Sequence, residues 1–267
     1  VRAELQQRIA AGTLDEASAG LIARWGKVIE ELESRSAGTA VHVTIGDLLA
    51  TLPGGPLTRT QLDSFRRLIR RRTVDQLMSI EDPARRTEKL YEMIELQPTN
   101  GARGQLFTEY RQSLMRGTTD EFGGVFEGAG MRPRESFSGP DLKKARRPDD
   151  EVVIRAKVKD QLPGGKYAIE DKTGDHAFDL AQAEDYARRA DPSLARRGDG
   201  ELDIGHATGG FKWTLDGTTS EYDGLIYVFS RQTEAKIARD RMRASALIKD
   251  LLGRHPGGIH VMYLHTD

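Results

Sequence analysis

The 267-residue chain has no cysteine, which rules out disulfides and every thiolate-ligated metal site, though it leaves the redox compartment open. Aromatic residues make up only 6% of it, giving little support for single-strand binding by base stacking. An excess of charge of one sign is also missing. Forty Lys plus Arg stand against forty-one Asp plus Glu, for a net charge of -1. A dedicated architectural nucleic-acid binder is usually more basic, so any attraction to phosphate has to come from local patches. No segment approaches the ~20 apolar residues that span a bilayer, so no membrane contact is expected. The longest apolar run, Leu225 to Phe229, reads as a buried strand. The chain opens Val1-Arg2-Ala3, with neither an initiator Met nor a signal-peptide pattern, and we take it as part of a longer protein whose targeting signal is out of view.

What is present is an ordinary globular composition, 30% charged and 37% hydrophobic, with length enough for one large domain or two small ones. Residues 1–98 read as helical. Thr13 to Glu16 fits a capping box, after which Leu21, Ile22, Trp25, Val28, Ile29 and Leu32 repeat with helical period. A second helix is expected over 60–80, with Leu62, Phe65, Ile69 and Leu77 inward. Asp82-Pro83 caps a third, buried through Leu90, Met93, Ile94 and Leu96. A boundary is expected at Pro98 to Gly101, and a mixed α/β domain over 99–267. Its expected elements are a helix over 104–115, a short strand near Val125-Phe126, and strands over 151–158 and 166–172. A helix over 178–189 follows, then a strand over 225–230, one helix over 233–252 and a last strand over 259–264. Ile237, Ala244, Ile248 and Leu251 are expected to share the inner face of that long helix.

The chemistry concentrates in two segments, Arg147-Pro148-Asp149-Asp150 and, about twenty residues on, Tyr167-Ala168-Ile169-Glu170-Asp171-Lys172. Side chains two apart on a strand share a face, so Glu170 and Lys172 point one way while Ile169 and Asp171 point the other. A carboxylate and an ammonium side by side, with Asp149 from a neighbouring strand, suit metal-assisted phosphodiester hydrolysis. Oxygen ligands suit Mg²⁺ (or Mn²⁺), and metal lowers the pKa of a bound water and neutralises phosphate charge. Lys172 can orient that water or stabilise developing negative charge. Asp150 directly follows Asp149, so either can be the ligand; Asp149 is preferred because it follows Pro148.

These residues resemble the PD-(D/E)XK nuclease superfamily, whose pattern is Pro-Asp, a spacer, then Asp or Glu, any residue, and Lys. The resemblance covers roughly residues 101–230. It implies a restriction-endonuclease-like α/β core with a central mixed sheet, with Asp149 and Glu170 as metal ligands and Lys172 as the catalytic cation. It further implies an added acid on the first core helix, where Glu109 falls, and a Gln-x-x-x-Tyr on the helix after the Lys strand. Gln182 and Tyr186 match that motif, and their four-residue spacing puts both on one helical face. The implied substrate is DNA, with RNA as the other candidate. A helical lead-in before a C-terminal nuclease also resembles the toxic domain of a bacterial polymorphic toxin or secreted effector. That layout implies delivery into a target cell's cytoplasm and a cognate immunity protein. A cytoplasmic restriction or repair enzyme, and a non-catalytic binding module, are the alternatives.

Lys143, Lys144, Arg146 and Arg147 lie just before Asp149 and are candidates for gripping the phosphate backbone. Arg66, Arg67, Arg70, Arg71 and Arg72 form the densest basic cluster and read first as a solvated helix face balanced by acids. His42, His176, His206, His255, His260 and His265 show no ligand spacing such as His-Glu-x-x-His, and no glycine-rich turn matches a nucleotide fingerprint.

Overall fold

The computed structural model describes residues 1–36, 43–116, 126–130, 149–154, 165–173, 178–190, 211–215, 218–255 and 258–265. The chain is of mixed helix and strand and divides into two compact units, Val1–Ser113 and Leu114–Asp267. The first unit therefore takes in most of the helix that follows the expected boundary at Pro98.

The first unit is helical: α1 (Arg2–Ala10), α2 (Glu16–Ala23), α3 (Gly26–Ser36), α4 (Ile45–Ala50), α5 (Arg59–Met78), α6 (Pro83–Glu95) and α7 (Asn100–Arg116). Asp15, not Thr13, caps α2 by accepting from the Ser18 N–H; the Thr13 hydroxyl instead donates back to the Arg8 carbonyl. The periodic run from Leu21 to Leu32 is split between α2 and α3, and both pieces bury it through Ile22, Val28, Ile29 and Leu32. Thr58 closes a capping box with Gln61 at the start of α5, and Asp82 caps α6 with Pro83 at its first position. Leu62, Phe65, Ile69 and Leu77 are buried as their spacing requires, and so are Leu90, Met93 and Ile94.

The second unit is built on a five-stranded sheet of order β1-β2-β3-β6-β7. Its strands are β1 (Phe126–Gly130), β2 (Asp150–Ile154), β3 (Gly165–Lys172), β6 (Gly224–Arg231) and β7 (Ile259–His265). β1, β2 and β3 run antiparallel in turn, whereas β3, β6 and β7 are parallel. Parallel neighbours need crossovers. α8 (Leu180–Ala190) links β3 to β6, while α9 (Gln232–Ala244) and α10 (Ala246–Arg254) link β6 to β7. A separate hairpin, β4 (Phe211–Leu215) with β5 (Thr218–Tyr222), precedes β6 and was not expected from the sequence. The core lies where Ala168 and Leu225 of the sheet meet Ala183 and Ala187 of α8, with Ala235, Ala238 and Met242 of α9 continuing it.

The single helix expected over 233–252 is broken at Ser245, whose extended backbone ends α9 and whose side chain caps α10 by accepting from the Ile248 N–H. The break resets the helical phase. Ile248 and Leu251 are buried, but Ile237 is 50% exposed and Ala244 is exposed, with Ala235, Ala238 and Met242 turned inward in their place.

The start of β3 has a steric requirement. A Cβ on Gly165 would come within 2.6 Å of Asp223 Oδ2, and that carboxylate also accepts the Lys166 N–H at 2.7 Å. Gly165→Ala must displace Asp223 and weaken that bond. The variant is expected to lose about 1–3 kcal/mol in urea unfolding; an unchanged midpoint would show that Asp223 moves freely.

Candidate active site

β3 is central to the site because its two faces carry different chemistry. Alternation puts Ala168, Glu170 and Lys172 on one face, and the parallel register sets Glu170 beside Tyr227 and Lys172 beside Phe229 of β6. α8 covers this face. Its entry is fixed by Asp179, whose carboxylate accepts the Ala181 N–H at 3.0 Å, so that Gln182 falls in the first turn and Tyr186 one turn later.

Those placements bring four side chains together. Lys172 Nζ donates to Glu170 Oε2 and to Gln182 Oε1, both at 2.8 Å. Gln182 Nε2 donates to the same Glu170 Oε2 at 3.0 Å, and the Tyr186 hydroxyl donates to Glu170 Oε1. The group is buried: Glu170 is 2% exposed and the Lys172 side chain 11%. A buried ion pair is tolerable only when its geometry is good and further hydrogen bonds satisfy the charges; Gln182 and Tyr186 supply them. Burial, followed by the charge of Glu170, raises the Tyr186 phenol well above its ordinary range, so Tyr186 stays a donor.

Asp149 joins from the strand next door. Its N–H donates to the Ile169 carbonyl at 2.9 Å, which extends the β2–β3 ladder by one residue. Its carboxylate then accepts the Asp171 N–H at 2.8 Å. Asp149 is exposed as a residue, but its carboxyl is turned in against β3. Loss of hydration, followed by the charges of Glu170 and Asp171, pushes it up to about 7; the Asp171 N–H and Lys172 oppose that rise. Asp150, the other candidate in the pair, is wholly buried within β2 opposite Ile169.

A titration follows from this crowding. The native carboxyl holds its proton more tightly than the unfolded one, at about 7 against an ordinary 3.8. Its contribution to stability is complete below the unfolded value and disappears as pH rises through the folded one. Without added metal ion, wild type is expected to become less stable relative to Asp149→Asn between about pH 4 and about pH 7. Urea unfolding across that range reads the gap; a gap that stays constant would mean that Asp149 is not crowded.

Among the described residues no three or more His, Asp or Glu side chains form a metal-holding group. The donor set here is a pair, Asp149 and Glu170. Glu170 Oε1 accepts one hydrogen bond, from Tyr186, among the described residues, and a carboxylate oxygen can accept two. A carboxyl whose proton affinity is raised by burial and by a neighbouring carboxylate, as Asp149's is beside Glu170, fits a divalent cation that keeps most of its waters, as Mg²⁺ does.

Glu109 is on α7 in the helical unit, where it accepts Arg70 Nε at 2.9 Å. Arg70 is thereby buried rather than solvated, Arg66 pairs with Asp63, and Arg71 and Arg72 are exposed. Lys143, Lys144, Arg146, Arg147 and Pro148 lie outside the described residues, as do His42, His176 and His206. His260 packs edge-on to Tyr167 at 5.5 Å on the opposite face of β3. Sequence reasoning did not single out Tyr227, whose ring lies near Lys172 Nζ, or Phe229 and Phe178, which pack against that ring. Only the pairing of β3 with β6 brings Tyr227 and Phe229 there, and no local signal encodes that pairing. Among the described residues no helix is long and apolar enough to cross a membrane. Comparisons with protein-family models, with curated proteins and with solved structures find no match to this chain.

Proposed function

We propose that the chain is a metal-dependent nuclease that hydrolyses phosphodiester bonds, with DNA as the substrate. The observation that carries this reading is the convergence of Glu170, Lys172, Gln182 and Tyr186 on one buried cluster, with Asp149 crowding its edge. These positions come from the edge of β2, from β3 and from α8, and each belongs to a pattern that the PD-(D/E)XK resemblance picks out. The strand order, with an antiparallel β1-β2-β3 and a helix crossing from β3 to a parallel β6, further supports a restriction-endonuclease-like core.

In this reading Asp149 and Glu170 hold Mg²⁺ or Mn²⁺. When bound, the ion supplies an activated water and neutralises phosphate charge. Lys172 then presents a fixed positive charge to the oxygen that becomes more negative during attack. Gln182 holds that ammonium by its carbonyl and holds Glu170 by its amide. Tyr186, kept protonated by burial, locks the other oxygen of Glu170. The site would thus be organised before substrate arrives, which is where most of the electrostatic advantage of such a centre originates.

Incubation of the purified chain with supercoiled plasmid and with total RNA, in Mg²⁺ and in EDTA, tests the function. Plasmid is expected to be nicked and linearised in Mg²⁺ and left intact in EDTA. Cutting of RNA alone would keep the site and change the target; cutting of neither would contradict the reading. The wider setting we propose is a toxic effector domain neutralised by an immunity protein, a proposal that rests on the order of a helical unit followed by the α/β unit. Expression in a bacterial host should then arrest growth.

A further inference from the structure

The Lys172 ammonium has a neighbour that the proposed mechanism does not use. Its Nζ lies 5.9 Å from the centroid of the Tyr227 ring, within the range where a cation is attracted to the ring face. Tyr227 is wholly buried and stands beside Glu170 in the β3–β6 register, on the face that carries the cluster. Two more aromatics set its tilt. Phe178 meets it edge-on at 5.7 Å and 79°, and Phe229 lies nearly parallel to it at 6.4 Å and 25°. A simple core position would need only apolar volume, which Leu225 supplies two residues earlier on the same face. At 227 the aromatic surface is next to the one cation in the cluster. Lys172 directs hydrogen bonds at Glu170 Oε2 and Gln182 Oε1. An ammonium has three donors, so among the described residues a third is left for an incoming oxygen.

We propose that Tyr227 is a positioning residue for Lys172: the face of its ring, held by Phe178 and Phe229, confines the ammonium so that the donor not used by Glu170 and Gln182 points at the reacting phosphate. This inference rests on the nuclease reading and adds to it a residue from β6 that acts through Lys172 rather than on substrate. The aromatic face matters, and the hydroxyl does not.

The experiment has a spectroscopic arm and a kinetic arm. Lys172 side-chain resonances are assigned by NMR in wild type, Tyr227→Phe and Tyr227→Leu, and plasmid cleavage is followed in saturating Mg²⁺. The expected result is an upfield ring-current shift of the Lys172 ε-methylene protons in wild type and in Tyr227→Phe, lost in Tyr227→Leu. Tyr227→Leu should show kcat about tenfold lower with KM and the Mg²⁺ requirement unchanged, and Tyr227→Phe should restore kcat. Absence of the shift in wild type overturns the proposal without any variant having to fold. So does a Tyr227→Leu enzyme with wild-type kcat, or a loss of kcat that Tyr227→Phe shares. A shift present in a wild type that cuts neither DNA nor RNA overturns the catalytic role through failure of the nuclease reading, with the contact itself intact.

Discussion

Lys172→Ala is expected to abolish cleavage while leaving the metal ion bound. Nζ is the one ammonium in the cluster, and nothing among the described residues can replace its charge at the reacting oxygen. Loss of a preorganised electrostatic donor costs about 10² to 10³ in turnover. The carboxylates are untouched: Glu170 still accepts from Gln182 and Tyr186, and Asp149 still accepts from Asp171. Removing a nearby positive charge, if anything, strengthens attraction for a divalent cation. Calorimetric titration with Mn²⁺ beside a plasmid cleavage assay separates the two effects. A variant that cuts at the wild-type rate contradicts the role of Lys172, and one that has lost the metal shows Lys172 to be a structural support for Glu170.

Glu170→Gln and Asp149→Asn are expected to lose metal together and to part company in stability. Each removes one of the two proposed carboxylate ligands, so metal affinity should fall by more than the roughly hundredfold that supporting residues around a metal can cost. The surroundings of the two acids differ. Glu170 is the buried partner of Lys172, and replacing it leaves an ammonium with an uncompensated charge, at a cost of about 3 kcal/mol or more. Asp149 is crowded by Glu170 and Asp171, and its neutral isostere relieves that repulsion. Above about pH 7, metal-free Asp149→Asn should be at least as stable as metal-free wild type, whereas Glu170→Gln should be plainly less stable there. Urea unfolding in EDTA distinguishes them. Equal losses in both variants would mean that Asp149 is held by interactions other than those seen around it.

The parts of the site that were legible in the sequence are those governed by short-range geometry. Alternation along β3 is enough to put Glu170 and Lys172 on one face, and helical spacing is enough to put Gln182 and Tyr186 on another. That the two faces meet is a matter of topology, supplied by the crossover from β3 through α8 to β6. The partners brought in by pairing alone, Tyr227 and Phe229, were not readable, because nothing near residue 227 encodes which strand lies beside it. The hairpin Phe211–Leu215 with Thr218–Tyr222 is half legible: Phe211, Lys212, Trp213, Thr214 and Leu215 alternate apolar and polar as a strand should, whereas Thr218–Tyr222 carries no such alternation. Ser245 was missed for a different reason. Both flanking segments are helical by pattern, and the break is set by a single side chain that caps the second helix. Asp15 displaced Thr13 as a cap in the same way: two adequate caps stood two residues apart, and the Thr13 hydroxyl was already engaged with Arg8. The ion pair of Glu109 with Arg70 was not readable either, because it joins α5 to α7 across thirty-nine residues.

The central claim is that Asp149 and Glu170 share a divalent cation beside Lys172, and it is tested most directly by locating the ion. Crystals grown with Mn²⁺, with diffraction recorded to reveal its anomalous scattering, would place the metal without reference to activity. The account predicts one strong peak between the Asp149 and Glu170 carboxylates, absent from Asp149→Asn crystals treated identically. A peak at any other group of side chains, or none at this pair in a chain whose cleavage requires Mn²⁺, would contradict it.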